Sequence, residues 1–206
     1  MAKGQFIAFE GCDGSGKTTV SRAVYERLKE EGYDVIYTRE PGGIEISEQI
    51  RNVILDPKNV TMDERTEALL YAASRRQHLM EKVLPALEQG KIVLSDRYVL
   101  SSLAYQGYAR GIGIEEVWRI NEFAIEDHMP DHTIFLDIEA KTGIERLKNR
   151  ASLDRLDKEA LSFHERVFDG YKKINEMYKD QIVTFDANRP AEEVIENVWV
   201  YLKSVL

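Results

Sequence analysis

Five short runs of this chain are apolar almost throughout: Gln5-Phe6-Ile7-Ala8-Phe9-Glu10, Tyr33 to Thr38, Ile92-Val93-Leu94-Ser95-Asp96, Ile134-Phe135-Leu136-Asp137 and Ile182-Val183-Thr184-Phe185-Asp186. A strand with one wet face alternates polar and apolar residues, whereas a strand buried on both faces does not. The runs therefore predict an α/β fold, a five-stranded parallel sheet covered by helices on both faces. Segments with helical spacing lie between them. Thr18 to Glu31 is closed by Gly32, and a second helix contains Arg51. A third opens at the capping box Thr61-Met62-Asp63-Glu64 and runs toward Pro85. A short helix follows the Ile92–Asp96 run, and Gly111-Ile112-Gly113 separates it from Ile114 to Asp127. Pro190 suits the first turn of a last helix ending near Leu206. Asn149 to Lys158 is highly charged and without period, the character of a closing lid between two helical stretches.

Composition narrows the picture. A chain of 206 residues can bury one sizeable core, and no linker or repeat divides it, so one domain spanning 1–206 is expected. No apolar run approaches membrane-spanning length, and Lys3 leads directly into the first strand rather than into a signal-peptide pattern. Cys12 is the single cysteine, which excludes an internal disulfide and fits the cytosol. The helix that follows Cys12 could lower its pKa, although a small tolerated side chain is the plainer reading. A net charge of −8 argues against a broad nucleic-acid or membrane surface. A polyanionic ligand must then be met by a few arginines gathered locally.

The chemistry begins after the first strand. Gly11-Cys12-Asp13-Gly14-Ser15-Gly16-Lys17-Thr18 has the form of a phosphate-binding loop, placed between a strand and a helix as that motif requires. Its glycines let backbone N–H groups converge on phosphate oxygens, and the helix start adds partial positive charge. Lys17 supplies a cation for terminal phosphates and Thr18 a hydroxyl for Mg²⁺, with Thr19 beside it. The third strand ends in Asp96, which suits the magnesium shell, and Arg97, which suits a phosphate. A strand-end aspartate capping the next helix is the structural alternative. Thr38-Arg39-Glu40-Pro41-Gly42-Gly43 is a sharp polar turn ahead of Arg51. Glu67, Tyr71 and Arg75 share one helical face, either a solvent-facing stripe or an aromatic plate with a cation beside it. Ser102 and Gln106 share another, and a glutamine amide matches the N3–H and O4 edge of thymine or uracil unless it merely coats the surface. Arg146, Arg150 and Arg155 lie on or near the lid, where arginines either reach a transferring phosphoryl group or stay solvated.

Together these residues resemble the bacterial thymidylate kinases, within the nucleoside monophosphate kinases. The resemblance rests on Phe9 to Thr19, Thr38 to Gly43, Asp96-Arg97-Tyr98 with Ser101-Ser102-Leu103-Ala104-Tyr105-Gln106, and Leu153-Asp154-Arg155-Leu156-Asp157. It covers essentially the whole chain. It implies transfer of the ATP γ-phosphoryl group to thymidine 5′-monophosphate, with Mg²⁺ and without a general base, in a homodimer. By that resemblance Gly11, Asp13, Gly14, Ser15, Gly16, Lys17, Thr18 and Thr19 bind ATP. Arg39, Arg51, Arg75 and Arg97 surround the acceptor phosphate, Tyr71 stacks on thymine, and Ser102 and Gln106 read the base. Asp13 and Tyr105 lie near the sugar, and Thr18 and Asp96 serve the metal. Catalysis falls to Lys17, Arg97, Asp96 and the lid arginines Arg150 and Arg155. Family members more often carry Phe where Tyr71 stands, and Glu45-Ile46-Ser47 replaces a Pro and a Gly of many relatives. Ser15 occupies a loop position that is basic in one family variant, so this chain is similar to the variant whose basic residue acts from the lid.

Two other classes stay open on the sequence alone. A nucleotide-dependent switch would use the same loop, although the Asn-Lys-X-Asp run of guanine-reading switches is absent. A kinase for deoxyuridylate or deoxycytidylate would share most of these residues.

Overall fold

The computed structural model describes residues 4–148 and 154–206. Its five strands are β1 Gln5–Glu10, β2 Val35–Arg39, β3 Ile92–Asp96, β4 His132–Asp137 and β5 Ile182–Asp186. All pairings are parallel, in the order β2-β3-β1-β4-β5. β2 starts two residues later than its apolar run suggests. Gly32 and Tyr33 donate their N–H groups back to Lys29 and Leu28, so they close the preceding helix instead of extending the strand.

The helices are α1 Lys17–Glu30, α2 Glu45–Leu55, α3 Glu64–His78, α4 Leu84–Glu88, α5 Val99–Ser102, α6 Ile114–Ile125, α7 Ala140–Lys148, α8 Leu161–Met177 and α9 Ala191–Val205. Right-handed crossovers fix their sides. The step from β1 to β2 runs one way along the sheet and puts α1 on one face, where α9 packs against it. The later crossovers run the other way, so α3, α6 and α8 lie on the opposite face. Both faces are therefore covered, and Phe6, Ile7, Phe9, Val93, Leu94, Ile134 and Leu136 are each at most 1% exposed. Each such side chain contributes roughly 1.5–3 kcal/mol relative to an exposed one.

Two helix ends differ from expectation. The cap of α3 is Asp63, whose carboxylate accepts from the N–H groups of Arg65 and Thr66, while Met62 is tied back to Asn59. Thr61 therefore caps nothing. Pro85 does not end the helix either, because Leu79–Val83 widens into a π-helical turn that leads straight into α4. A proline lacks the N–H and crowds the turn before it, and the wider turn relieves both demands. A second π-helical stretch, Leu103–Ala109, prolongs α5 and carries Tyr105 and Gln106. No helix among the described residues is long and apolar enough to cross a membrane.

Candidate active site

In an open parallel sheet, ligands bind beyond the carboxyl ends of the strands, and the residues that leave β1, β2 and β3 meet there. They line a cavity of about 460 Å³. Asp137 and Asp186, which end the other two strands, are not among its lining residues.

The Gly11–Thr18 loop forms one wall. Gly14 has a φ of 83°, and a Cβ there would stand 2.4 Å from the Gly143 carbonyl oxygen, so only glycine fits. Gly16 caps α1 in the left-handed region with no side-chain cap, which leaves the first N–H groups of α1 directed at the cavity mouth. Lys17 is buried and donates from Nζ to the Cys12 carbonyl at 2.8 Å. Burial, with help from Arg97, lowers its pKa to about 8. Burial also pushes the Cys12 thiol well up, so the helix start does not activate it. Gly11 and Ser15 are not among the lining residues, and the buried Ser15 hydroxyl has no hydrogen-bond partner among the described residues.

Thr18 donates from Oγ1 to Oδ2 of Asp96 at 2.5 Å, and Tyr37 donates to the same oxygen at 3.3 Å. Asp96 is thus no helix cap. The N–H groups of Tyr98 and Ser101 go instead to Glu10. A hydroxyl and a carboxylate side by side fit a magnesium ion that keeps most of its shell as water and phosphate oxygens. No group of three or more His, Cys, Asp or Glu gathers for an all-protein metal cage among the described residues.

Arg97 stands at the centre, with a φ of 78° that a side-chain-bearing residue seldom adopts. Its guanidinium donates to Asp13 at 2.6 Å, Ser101 at 3.0 Å, Tyr171 at 3.1 Å, and to Tyr105 and the Gly11 carbonyl at 3.3 Å each. Tyr105 donates to the other oxygen of Asp13 at 2.5 Å. One arginine thereby touches the phosphate loop and the wall opposite it. Behind it Glu10, fully buried, accepts from Ser101 and Tyr171. Burial raises the Glu10 pKa, and Ser101, Arg97 and the Tyr98 N–H oppose the rise.

Arg75 is 2% exposed and gives its Nε to Glu40 at 2.7 Å, its Nη1 to Ser102 and Asn121, and its Nη2 to the Tyr98 carbonyl. Burial would raise the Glu40 pKa, but Arg75 and His78 hold it below the usual range. Arg39 is exposed and pairs with Glu48, and Arg51 donates to the Pro41 carbonyl at 2.9 Å. Both line the cavity, as do Tyr71, Arg75, Arg97, Ser102, Tyr105 and Gln106. The Glu67–Tyr71–Arg75 face is therefore turned inward, and Gln106, at 1% exposure, is no surface coat.

The lid arginines divide. Arg150 falls outside the described residues. Arg155 is buried and donates to Glu67 at 2.5 Å and to the Ile54 carbonyl at 2.6 Å, away from the phosphate loop. Arg146, on α7, donates to the Gly14 carbonyl at 3.2 Å. Sequence reasoning passed over Glu10, Arg110, Asn121 and Tyr171 as site components. They are distant in the chain, and only the packing of α6 and α8 on the π-helical stretch brings them together.

The depressed pKa of Lys17 gives a pH prediction. A phosphate ligand needs the ammonium form, which prevails below about pH 8 in the free protein. The kcat/KM for a nucleoside triphosphate is expected to be flat up to that pH and then to fall by about tenfold per pH unit. A profile level to pH 10 would exclude this role for Lys17.

Comparison with known proteins gives this geometry a family. The thymidylate kinase family model matches residues 9–198. A thymidylate kinase of Clostridium novyi is 56% identical over 205 residues, which span 98% of this chain and 100% of that protein. One of Oceanobacillus iheyensis is 56% identical over 98% of this chain and 91% of its own length. The crystal structure of thymidylate kinase from Ehrlichia chaffeensis superposes with a TM-score of 0.78 at 33% identity, covering 98% of this chain and 99% of that one. With the phosphate loop, the Asp96-Arg97 strand end and the inward-facing arginines on one cavity, the chain belongs to the thymidylate kinase family of phosphotransferases.

Proposed function

We propose that this chain transfers the γ-phosphoryl group of MgATP to thymidine 5′-monophosphate, giving thymidine 5′-diphosphate and ADP for thymidine triphosphate synthesis. The observation that carries the reading is Arg97, whose guanidinium joins the phosphate loop to the wall formed by Tyr105 and Ser101. A monophosphate oxygen is already ionised at neutral pH, so the transfer needs no general base. It needs two anions held in line against their repulsion.

Gly11, Asp13, Gly14, Ser15, Gly16, Lys17, Thr18 and Thr19 serve the donor, with Lys17 on its terminal phosphates. Thr18 and Asp96 would hold Mg²⁺, which would supply charge neutralisation at the donor phosphates. Arg39, Arg51, Arg75 and Arg97 hold the acceptor phosphate, Tyr71 stacks on thymine, Ser102 and Gln106 read its edge, and Asp13 and Tyr105 meet the sugar. The lid, 149–158, supplies Arg150 or Arg155. Arg155 must leave Glu67 to reach the donor. The whole chain acts as one kinase domain in the cytoplasm. Leu69 on α3 and Phe123 on α6 are 56% and 89% exposed on helices that pack together, which supports a homodimer.

An ADP-release assay with MgATP and a panel of nucleoside monophosphates tests this. Thymidylate is expected to give the highest kcat/KM, with deoxyuridylate within about 10–200-fold because one methyl contributes little discrimination. Turnover with thymidylate no greater than with cytidylate would end the reading. Light scattering on the same preparation is expected to give twice the chain mass, and a monomer mass would remove the homodimer from the account.

A further inference from the structure

Glu67 does not line the cavity, yet Gln106, which does, points its amide at it. Gln106 Nε2 donates to Glu67 Oε1 at 2.8 Å, and Gln106 is 1% exposed. Arg110 donates to both Glu67 oxygens, at 3.3 and 3.0 Å, and Arg155 donates to Oε2 at 2.5 Å. Glu67 is 1% exposed; burial alone would raise its pKa, but Arg110, Gln106 and Arg155 hold it below the usual range. An ionised carboxylate only accepts hydrogen bonds. Its partner on Gln106 must therefore be the NH₂ end, and the amide carbonyl is left for a ligand.

We propose that Glu67 is a positioning residue for base choice: it locks the Gln106 amide with its carbonyl available to the base. The inference rests on the thymidylate reading above. A carbonyl in that place accepts the N3–H of thymine or uracil. Against cytosine it meets the N3 lone pair, so two acceptors face each other. Turning the amide over would suit cytosine but would set its carbonyl against the Glu67 carboxylate. The specificity of the site is thus fixed one residue behind the residue that reads the base, by a charge that Arg110, bonded to both carboxylate oxygens, keeps in place even when Arg155 departs.

The test is a kinetic cycle of Glu67→Gln, Gln106→Met and the double variant, each assayed with MgATP and thymidylate, deoxyuridylate or deoxycytidylate. A glutamine at 67 can either donate or accept, so it releases the lock at nearly constant shape. In E67Q the thymidylate-to-deoxycytidylate ratio of kcat/KM is expected to fall by about 10–100-fold. In the double variant the ratio is expected to match that of Q106M, because Glu67 acts only through Gln106. An unchanged ratio in folded E67Q overturns the proposal, as does a further fall in the double variant beyond Q106M. A second measurement uses the unaltered protein and does not depend on E67Q folding. The Gln106 NH₂ resonances, assigned by their loss in Q106M, are expected to be protected from solvent exchange before any nucleotide is added. Fast exchange in the free protein overturns the lock. If the unaltered enzyme shows no thymidylate preference at all, the functional reading falls and takes this inference with it. A preference that persists in E67Q removes this inference alone.

Discussion

Replacing Lys17 by alanine is expected to lower kcat by about three to four orders of magnitude while leaving the protein as stable as before or slightly more so. The two effects have one cause. Lys17 is buried at the start of α1 with a carbonyl as its hydrogen-bond partner, and burial has brought its pKa to about 8. The native protein thus binds fewer protons than the unfolded chain between that value and the ordinary lysine range. Stability accordingly rises with pH across that window, and below it the charged lysine costs roughly 1–3 kcal/mol. Alanine removes that cost and removes with it the cation proposed for the terminal phosphates of the donor. Steady-state turnover and thermal unfolding at pH 7 check both halves. Near-normal turnover would contradict the assignment of Lys17, and a large fall in Tm would show that its role is structural.

Arg97→Ala is expected to lower kcat/KM for thymidylate by about three to four orders of magnitude and, unlike the lysine change, to cost stability as well. Five protein acceptors each lose the hydrogen bond from Arg97 at once, among them Asp13, its ion-pair partner at 2.6 Å. The side chains of that pair are 17% and 20% exposed, so solvent screens the loss only in part. A destabilisation of about 2–4 kcal/mol follows from leaving one charge of such a pair behind. The φ of 78° strains alanine as it strains arginine, so the backbone adds little to the difference. Arg97→Lys separates charge from geometry. It keeps a cation but not the fork that reaches the loop and the opposite wall together, and it is expected to recover no more than about tenfold. The coupled assay and urea unfolding report the two effects independently, and turnover near that of the unaltered enzyme in Arg97→Ala would remove the clamp.

The inner strands are legible because a strand buried on both faces leaves a short apolar run between turn signals; the edge strands β2 and β5 carry similar runs although they are only partly buried. The ends of elements are less legible. Tyr33 is apolar enough to read as strand, yet the backbone bonds that close α1 claim it. Thr61 and Asp63 both suit a helix cap, and the choice between them is made by a turn that ties Met62 to Asn59. The phosphate loop, Asp96 and Arg97 could be read directly, since each sits at a strand end where chemistry is expected. The support behind them could not. Glu10 reads as the polar end of an apolar run, and nothing local distinguishes it from a solvent-facing glutamate. It is fully buried because Tyr171, far along the chain on α8, closes over it. Glu67 illustrates the same limit, since its partners lie 39, 43 and 88 residues away. Charge and position within the lid segment offer Arg150 or Arg155 to the donor, and they do not reveal that Arg155 pairs with Glu67 in the free protein.

In the proposed reaction one cavity holds two nucleotides and passes a phosphoryl group between them. Phosphorus NMR of the unaltered protein with MgATP and thymidylate follows that group directly. Loss of the ATP γ-phosphorus signal is expected to be matched by gain of the β-phosphorus signal of thymidine diphosphate, and to depend on thymidylate. Growth of inorganic phosphate in its place, at a rate indifferent to thymidylate, would contradict the proposed reaction.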